Sequence, residues 1–303
     1  MTAPQIRQVL LHAGHNLRHS MRSGNGVTFV VFSTFVGLGL ANLLLEPLEL
    51  GLIEDLEEFQ KNLARGIGMA LAMASLRGPA STLGQLFDQG QLIDISQWAQ
   101  FLVVQQPMIL SATFLLFGLV MPLLIPLGSF ATIAVDAESG AFRHLLTRTR
   151  RWTLVFGRFL GALLLTALVL CALVATVVIY IRVQIPIYTW EALISWGGRG
   201  LLALLALSIP YVALSVLVSA SVKSPRTALL ASVIVVAGVP LIAFSAQNAW
   251  EPLGKLLYLL PWAYSHQLLH PDLANGVLAA LACFGHGVVF LLAAIWVFER
   301  RDL

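Results

Sequence analysis

Residues 136–158, DAESGAFRHLLTRTRRWTLVFGR, gather Arg143, Arg148, Arg150, Arg151 and Arg158 in a chain that is only 11% charged. Translocation of Lys and Arg across a membrane is disfavoured, so a basic loop between apolar runs is a cytoplasmic topology signal. The same stretch is patterned as an amphipathic helix, which makes it a docking surface as well. Other residues able to do chemistry are few. His286 alone among the ionisable groups lies well inside an apolar run, between Gly285 and Gly287. It reads as a packed, hydrogen-bonded histidine, with a proton relay as the alternative. His12, His15 and His19 have no cysteine or carboxylate at ligand spacing, which argues against zinc. Cys171 and Cys283 each fall inside an apolar run and read as buried small hydrophobes, not as a disulfide or metal pair. The only lysines are Lys61, Lys223 and Lys255, none in a G-x-x-x-x-G-K-[ST] phosphate loop. No Ser-His-Asp or metal cluster is evident, which argues against an enzyme working on its own.

The elements that position these residues are spans. The 303-residue chain is 58% hydrophobic, and its apolar residues fall into runs of about 20, the length a helix needs to cross roughly 30 Å of hydrocarbon. Six spans are expected, at about 27–45, 106–131, 155–181, 197–221, 227–246 and 276–298, giving an all-α, polytopic integral membrane protein with one transmembrane domain over residues 1–303. The formal charge of +3 is dispersed among loops, which excludes nucleic acid as a partner. The segment before the first span carries Arg7, Arg18 and Arg22 and is too long and charged for a cleaved signal. With the N-terminus inside, Arg7, Arg18, Arg22, the five loop arginines, Lys223, Arg226, Arg300 and Arg301 are cytoplasmic. Lys61, Arg65, Arg77, Arg182, Arg199 and Lys255 are outside. That is twelve against six, so both termini are expected on the cytoplasmic side.

Three segments between the spans need separate treatment. Residues 4–22 place Ile6, Val9, Leu10, Ala13, Leu17 and Met21 along one helical face, as in a helix lying in the inner membrane surface in contact with lipid. The outer loop 46–104 repeats Leu56, Phe59, Leu63, Ile67 and Leu71 at helical spacing, and its uncharged piece 66–76 is about half the length of a span. Residues 247–275 have apolar stretches too brief to cross, broken by Pro252, Pro261 and Pro271. They read as a re-entrant helical hairpin, since non-helical backbone at membrane depth must be buried in protein or face water. Pro252, Leu256, Pro261 and Trp262 are therefore candidate outer-gate residues. Prolines 122, 126, 210 and 240 mark kink sites within spans. Gly157 and Gly161 form a G-x-x-x-G that allows a helix to approach closely.

The order of these features resembles the ABC-2-type transporter permeases. The resemblance rests on six spans and an amphipathic N-terminus, then Glu138, Ser139, Gly140, Arg143, Leu145, Leu146, Thr147, Arg148, Arg150 and Arg151 after the second span. Gly157 and Arg158 open the third, and F-E-R-R-D-L ends the chain at 298–303. It covers nearly the whole sequence, with 46–104 similar to a subgroup that has an extended first outer loop. The resemblance implies a transmembrane subunit in a bacterial cytoplasmic (inner) membrane. Such a subunit dimerises with a second copy or a paralogue and binds two cytoplasmic ABC ATPase (nucleotide-binding) subunits, which hold ATP and Mg. On this reading 136–154 is the coupling helix, with Asp136, Glu138, Gly140, Arg143, Leu145, Leu146, Arg148, Arg150, Arg151 and Arg158 as its coupling residues. Asp136 and Glu138 sit at its positive N-terminal end. Lys223 and Arg226 form a second, shorter inner loop. The shortage of charges inside the spans points to a hydrophobic or amphipathic cargo. Two alternatives remain open: a mechanical or regulatory partner acting on an envelope protein through 46–104, and a secondary transporter.

Overall fold

The computed structural model of the chain describes residues 3–49, 61–66, 98–145, 147, 149–185, 187–239, 241–242 and 261–301. Among them there are helices and turns and no strand. Helix α1 spans Ala3–Arg22 and α2 Gly24–Glu49, while α3 covers Met108–Ser129 after a π-helical turn at Phe101–Gln105. Two short helices follow, α4 (Ala134–Glu138) and α5 (Phe142–Leu145). Then come α6 (Arg151–Gln184), α7 (Trp190–Ser221), α8 (Pro225–Val233, continued by a π-helical turn at Ile234–Gly238) and α9 (Leu273–Glu299).

Local sequence sets the helix boundaries. Arg150 is extended (φ −74°, ψ 145°), so α6 starts at Arg151, and a non-helical Ile185 (φ −124°, ψ 87°) ends it. The Thr189 hydroxyl caps α7 by accepting from the Ala192 N–H (3.3 Å), and the Asp272 carboxylate caps α9 through Ala274 (3.0 Å). Pro225 opens α8, where a missing N–H costs nothing. Three of the buried hydroxyls are satisfied within their own helices: Thr113 donates to the Ile109 carbonyl (2.7 Å), Ser129 to Ile125 (2.8 Å) and Thr166 to Ala162 (3.0 Å), whereas those of Ser33, Ser215 and Ser232 are buried without a partner among the described residues. In hydrocarbon an unsatisfied polar group costs several kcal/mol, so this local solution matters for spans.

Five helices among the described residues are long and apolar enough to cross a membrane: Gly26–Glu46, Met108–Glu138, Arg151–Gln184, Trp190–Ser221 and Leu273–Glu299. They correspond to five of the six expected spans. The sixth, expected at 227–246, begins as α8 and the following π-helical turn, while Pro240 and 243–246 lie outside the described residues. Helices α3, α6 and α7 form the centre, with α2 packed on α3 and α6, and α9 packed on α7 and α6. Phe117, Met121, Leu154, Leu165, Val177, Leu193 and Val212 lie in this core. At 34 residues, α6 is about 51 Å long at 1.5 Å per residue, well beyond the hydrocarbon thickness, so its ends project past the membrane core.

The end of the bundle carrying α1, α4, α5 and the start of α6 is called the arginine-rich end. Between α1 and α2 the chain turns a tight corner at Ser23. Its hydroxyl donates to the Ser20 carbonyl (2.9 Å) and accepts from the Gly26 N–H (3.1 Å). A Cβ on Gly26 would lie 1.7 Å from the Ser20 oxygen. The expected outer loop enters the described residues at 61–66, a helical piece where Leu63 and Ala64 pack on the core, and again at 98–105. Of the expected re-entrant hairpin, the described part consists of two 3-10 turns, Pro261–Tyr264 and His266–Leu269. Pro252 and Leu256 lie outside the described residues.

Candidate functional site

At the arginine-rich end the chemistry is organised around Arg158, on the first turns of α6. Its side chain is 6% exposed and forms an ion pair with Asp136 of α4. Its other terminal nitrogen donates to Asn16 Oδ1 (3.0 Å), and Asn16 Nδ2 donates back to the Arg158 carbonyl (3.2 Å). One guanidinium therefore joins α1, α4 and α6. A buried cation is stable only when its charge and its donors are answered nearby. Two of the three nitrogens are satisfied here, and Nε is buried without a partner.

The approach of α1 that makes this possible is set by small residues. Val9, Ala13, Asn16 and Ser20 form its buried face. A Cβ on Gly157 would sit 2.6 Å from His12 Cβ, and one on Gly161 would sit 2.7 Å from the Ala13 carbonyl oxygen. The G-x-x-x-G of α6 is thus a saddle for the N-terminal helix. His12, above Gly157, has its pKa lowered, first by burial, then by the positive charge of Arg158 and by His15, with Asp136 opposing.

A second arginine faces inward. Arg151 donates from one nitrogen to the carbonyls of Phe298 (3.1 Å), Glu299 (2.7 Å) and Arg301 (2.9 Å), closing the C-terminal end of α9. Helix C-termini leave carbonyls unpaired and carry partial negative charge, so a guanidinium there is doubly favourable. Arg301 in turn donates to the Ala220 carbonyl at the end of α7 (2.9 Å). Phe142 of α5 and Phe298 of α9 meet edge to face at 5.1 Å, both fully buried. The Ser219 hydroxyl of α7 accepts the N–H groups of Ile133 (3.0 Å) and Ala134 (2.9 Å), fixing the start of α4.

The expected coupling helix over 136–154 is two short helices and the start of a span. Gly140 at φ +70° separates α4 from α5, a left-handed conformation that glycine adopts without strain. Thr147, Thr149 and Arg150 are non-helical, and α6 begins at Arg151. What the segment presents outward is Glu138 and Arg150, with Gly140 and Leu145 half-buried. Phe130 and Ala134 cluster with Ala228, Val222 and Leu229, so the short link bearing exposed Lys223 and Arg226 sits beside α4. The side chains of Arg143, Leu146 and Arg148 lie outside the described residues.

The opposite end is built of rings. The Trp98 indole donates to the Leu269 carbonyl (3.3 Å) and lies 5.0 Å from the His270 ring. Arg199 of α7 donates to the His270 carbonyl and stacks on Trp196 (5.4 Å) and Phe101 (6.0 Å). Pro261 is buried and Trp262 half-buried here. His286 is hydrogen-bonded to the Ala282 carbonyl through Nδ1 (2.7 Å) and lies 5.6 Å from the Tyr264 ring, a packed histidine.

The sequence family described as "ABC-2 family transporter protein" matches residues 12–303. The chain belongs to that family. No curated protein matches the chain. As an ABC-2 permease it is a multi-pass membrane protein and a transport subunit, of a kind that generally pairs with cytoplasmic ABC ATPase subunits and forms dimers.

Within this permease the residues singled out from the sequence divide by what they touch. Asp136, Arg151 and Arg158 are engaged inside the chain, whereas Glu138, Arg150, Lys223 and Arg226 face outward. One expectation needs correcting, and one residue has a more inward place than its grouping with the loop arginines implied: Arg158 is buried and partnered by Asp136 and Asn16. Cys171 is exposed on the flank of α6, and only Cys283 is buried. The sequence reading missed Asn16, Phe142 and Ser219, and singled out Phe298 only as the first residue of the terminal F-E-R-R-D-L. Asn16 had a legible signal, since it continues the small-residue row Val9, Ala13, Asn16, Ser20 at helical spacing.

Proposed function

We propose that this ABC-2 permease is the membrane-spanning subunit of an ATP-driven exporter of a hydrophobic or amphipathic substrate, working as a dimer in a bacterial cytoplasmic membrane with both termini inside. It contributes no ATPase site; ATP and Mg are held by the partner subunits. Those subunits grip the arginine-rich end through Glu138, Arg150, Lys223 and Arg226. Arg143 and Arg148 belong to the same docking segment.

The observation that carries this reading is the division between outward and inward charges. Exposed Glu138, Arg150, Lys223 and Arg226 lie on two links that touch through Phe130, Ala134 and Ala228. Behind them, Asp136–Arg158, Arg151 and Phe142 connect the same segment to α1, α6, α7 and α9. A push on the exposed side therefore meets a rigid junction of four helices, which is what transmission of work requires. The aromatic and arginine-lined opposite end, with Pro261 and Trp262, serves as the exit for an amphipathic cargo.

The test is co-purification with the cognate ATPase, followed by turnover in proteoliposomes. Replacing Glu138 and Arg150 together by residues of opposite charge should leave insertion intact and reduce substrate-stimulated ATPase activity by tenfold or more, on the order of the loss of two interfacial charge pairs. Undiminished stimulation, or an active assembly in which this segment binds no protein, overturns the reading.

A further inference from the structure

Helix α1 has three faces, and packing accounts for only one. Val9, Ala13, Asn16 and Ser20 lie against α6. Ile6, Leu10 and Met21 are 47%, 59% and 48% exposed on the adjoining flank. Arg7, Arg18 and Arg22 are exposed beyond that flank, with Leu11 among them. Their spacing of 11 and 4 residues returns all three to one stripe of a 3.6-residue helix. The helix contains no aspartate or glutamate, and no ion pair involves these arginines among the described residues. Through the corner at Ser23, α1 runs directly into α2, a membrane span. An apolar flank beside a basic stripe, held at the mouth of a span, matches the boundary between acyl chains and phosphate groups.

We propose that α1 is a binding site for anionic phospholipid headgroups, with Arg7, Arg18 and Arg22 on the phosphates and Ile6, Leu10 and Met21 in the acyl layer. We further propose that the contact is relayed to α4. The relay is the Asn16–Arg158–Asp136 connection: α1 cannot shift along α6 without moving Asn16, which holds the guanidinium that holds Asp136. Lipid charge thus sets how firmly α4 is held, and with it the segment that faces the partner ATPase. The site itself depends only on the chain's being a membrane protein of this family, while the consequence for coupling rests on the function proposed above.

The full-length chain is reconstituted in nanodiscs of phosphatidylcholine alone or with phosphatidylglycerol, without nucleotide or ATPase, and amide hydrogen exchange is followed in residues 3–22 and 134–138. Exchange in 3–22 should slow on adding phosphatidylglycerol, by about fivefold for each arginine engaged, equivalent to roughly 1 kcal/mol. Salt at 1 M should reverse the slowing by screening. The R7Q/R18Q/R22Q variant should lose it, and R7K/R18K/R22K should keep it. Equal exchange in the two lipids, or slowing that survives in the glutamine variant, overturns the binding site. Residues 134–138 should follow the same lipid dependence in the unmodified chain, and Asn16→Ala should abolish it there while α1 still responds. A response in 134–138 that survives Asn16→Ala overturns the relay. Because no nucleotide is used, failure of these results is distinct from failure of ATP coupling.

Discussion

Each end of the bundle holds an arginine against other elements, Arg158 buried and Arg199 half-buried, and the two ends answer its charge in different ways. Arg158 is met by a carboxylate and a carboxamide from two other helices. Arg199 is met by a backbone carbonyl and two aromatic faces, with no carboxylate among the described residues. The first arrangement is directional and has a defined partner on each side, so it locks three elements into one geometry. The second is tolerant of sliding, because a ring face attracts a cation over a broad area. Rigid connection at one end and compliant contact at the other is the asymmetry that the proposed coupling calls for.

The sharpest way to break this contrast is to remove the carboxylate. Asp136→Leu leaves Arg158 charged and unpaired, which should cost about 3–5 kcal/mol, seen as lost yield of folded protein and a lowered thermal midpoint in detergent. Asp136→Leu combined with Arg158→Met should recover most of that loss. If the single variant is as stable as the parent, the lock does not exist. Next in size, Gly161→Leu fills the saddle beneath Ala13 and should cost about 1–3 kcal/mol by overpacking, with hydrogen exchange of residues 3–22 accelerated and that of α3 unchanged.

Arg151→Ala removes a charged cap shared by three carbonyls and should cost about 1–2 kcal/mol, with faster proteolysis after residue 296 as the readout. At the opposite end, Arg199→Gln should cost less than about 1 kcal/mol. A larger loss there than for Arg151→Ala would show that the two ends are equally rigid. The smallest effect concerns His12. Its pKa in the docked helix lies below the ordinary 6.5, so the undocked helix takes up a proton first. Docking of α1 should be full above pH 6.5 and weaken as pH falls from there to the depressed value. A spin label at Gly14→Cys should become more mobile over that window, and His12→Gln should remove the dependence.

Much of this molecule could be read in one dimension. Apolar runs located the five described spans because crossing a membrane is a local requirement of length and composition. The amphipathic pattern of 4–22 located α1 for the same kind of reason. What the runs could not convey is which side of each helix meets which neighbour. Arg158 looked like one more basic residue at an inner end, since its partners are Asn16 and Asp136, the former 142 residues away. The break at Gly140 was overlooked because the helical spacing of Ala141, Leu145 and Thr149 begins just after it and carries no sign of where the preceding helix ends. Arg151 was assigned outward for lack of any sign that the chain's last residues return to meet it.

The corner at Ser23 carries a mechanical consequence. Its angle is fixed by one hydroxyl acting on both sides and by a position, Gly26, where even a methyl group would collide with the preceding turn. A hinge that is stiff at its pivot turns displacement of one arm into rotation of the other. A tilt of the N-terminal helix should therefore reach the first crossing as torque, and a spin-label pair on α1 and α2 should keep a narrow distance distribution when α1 moves.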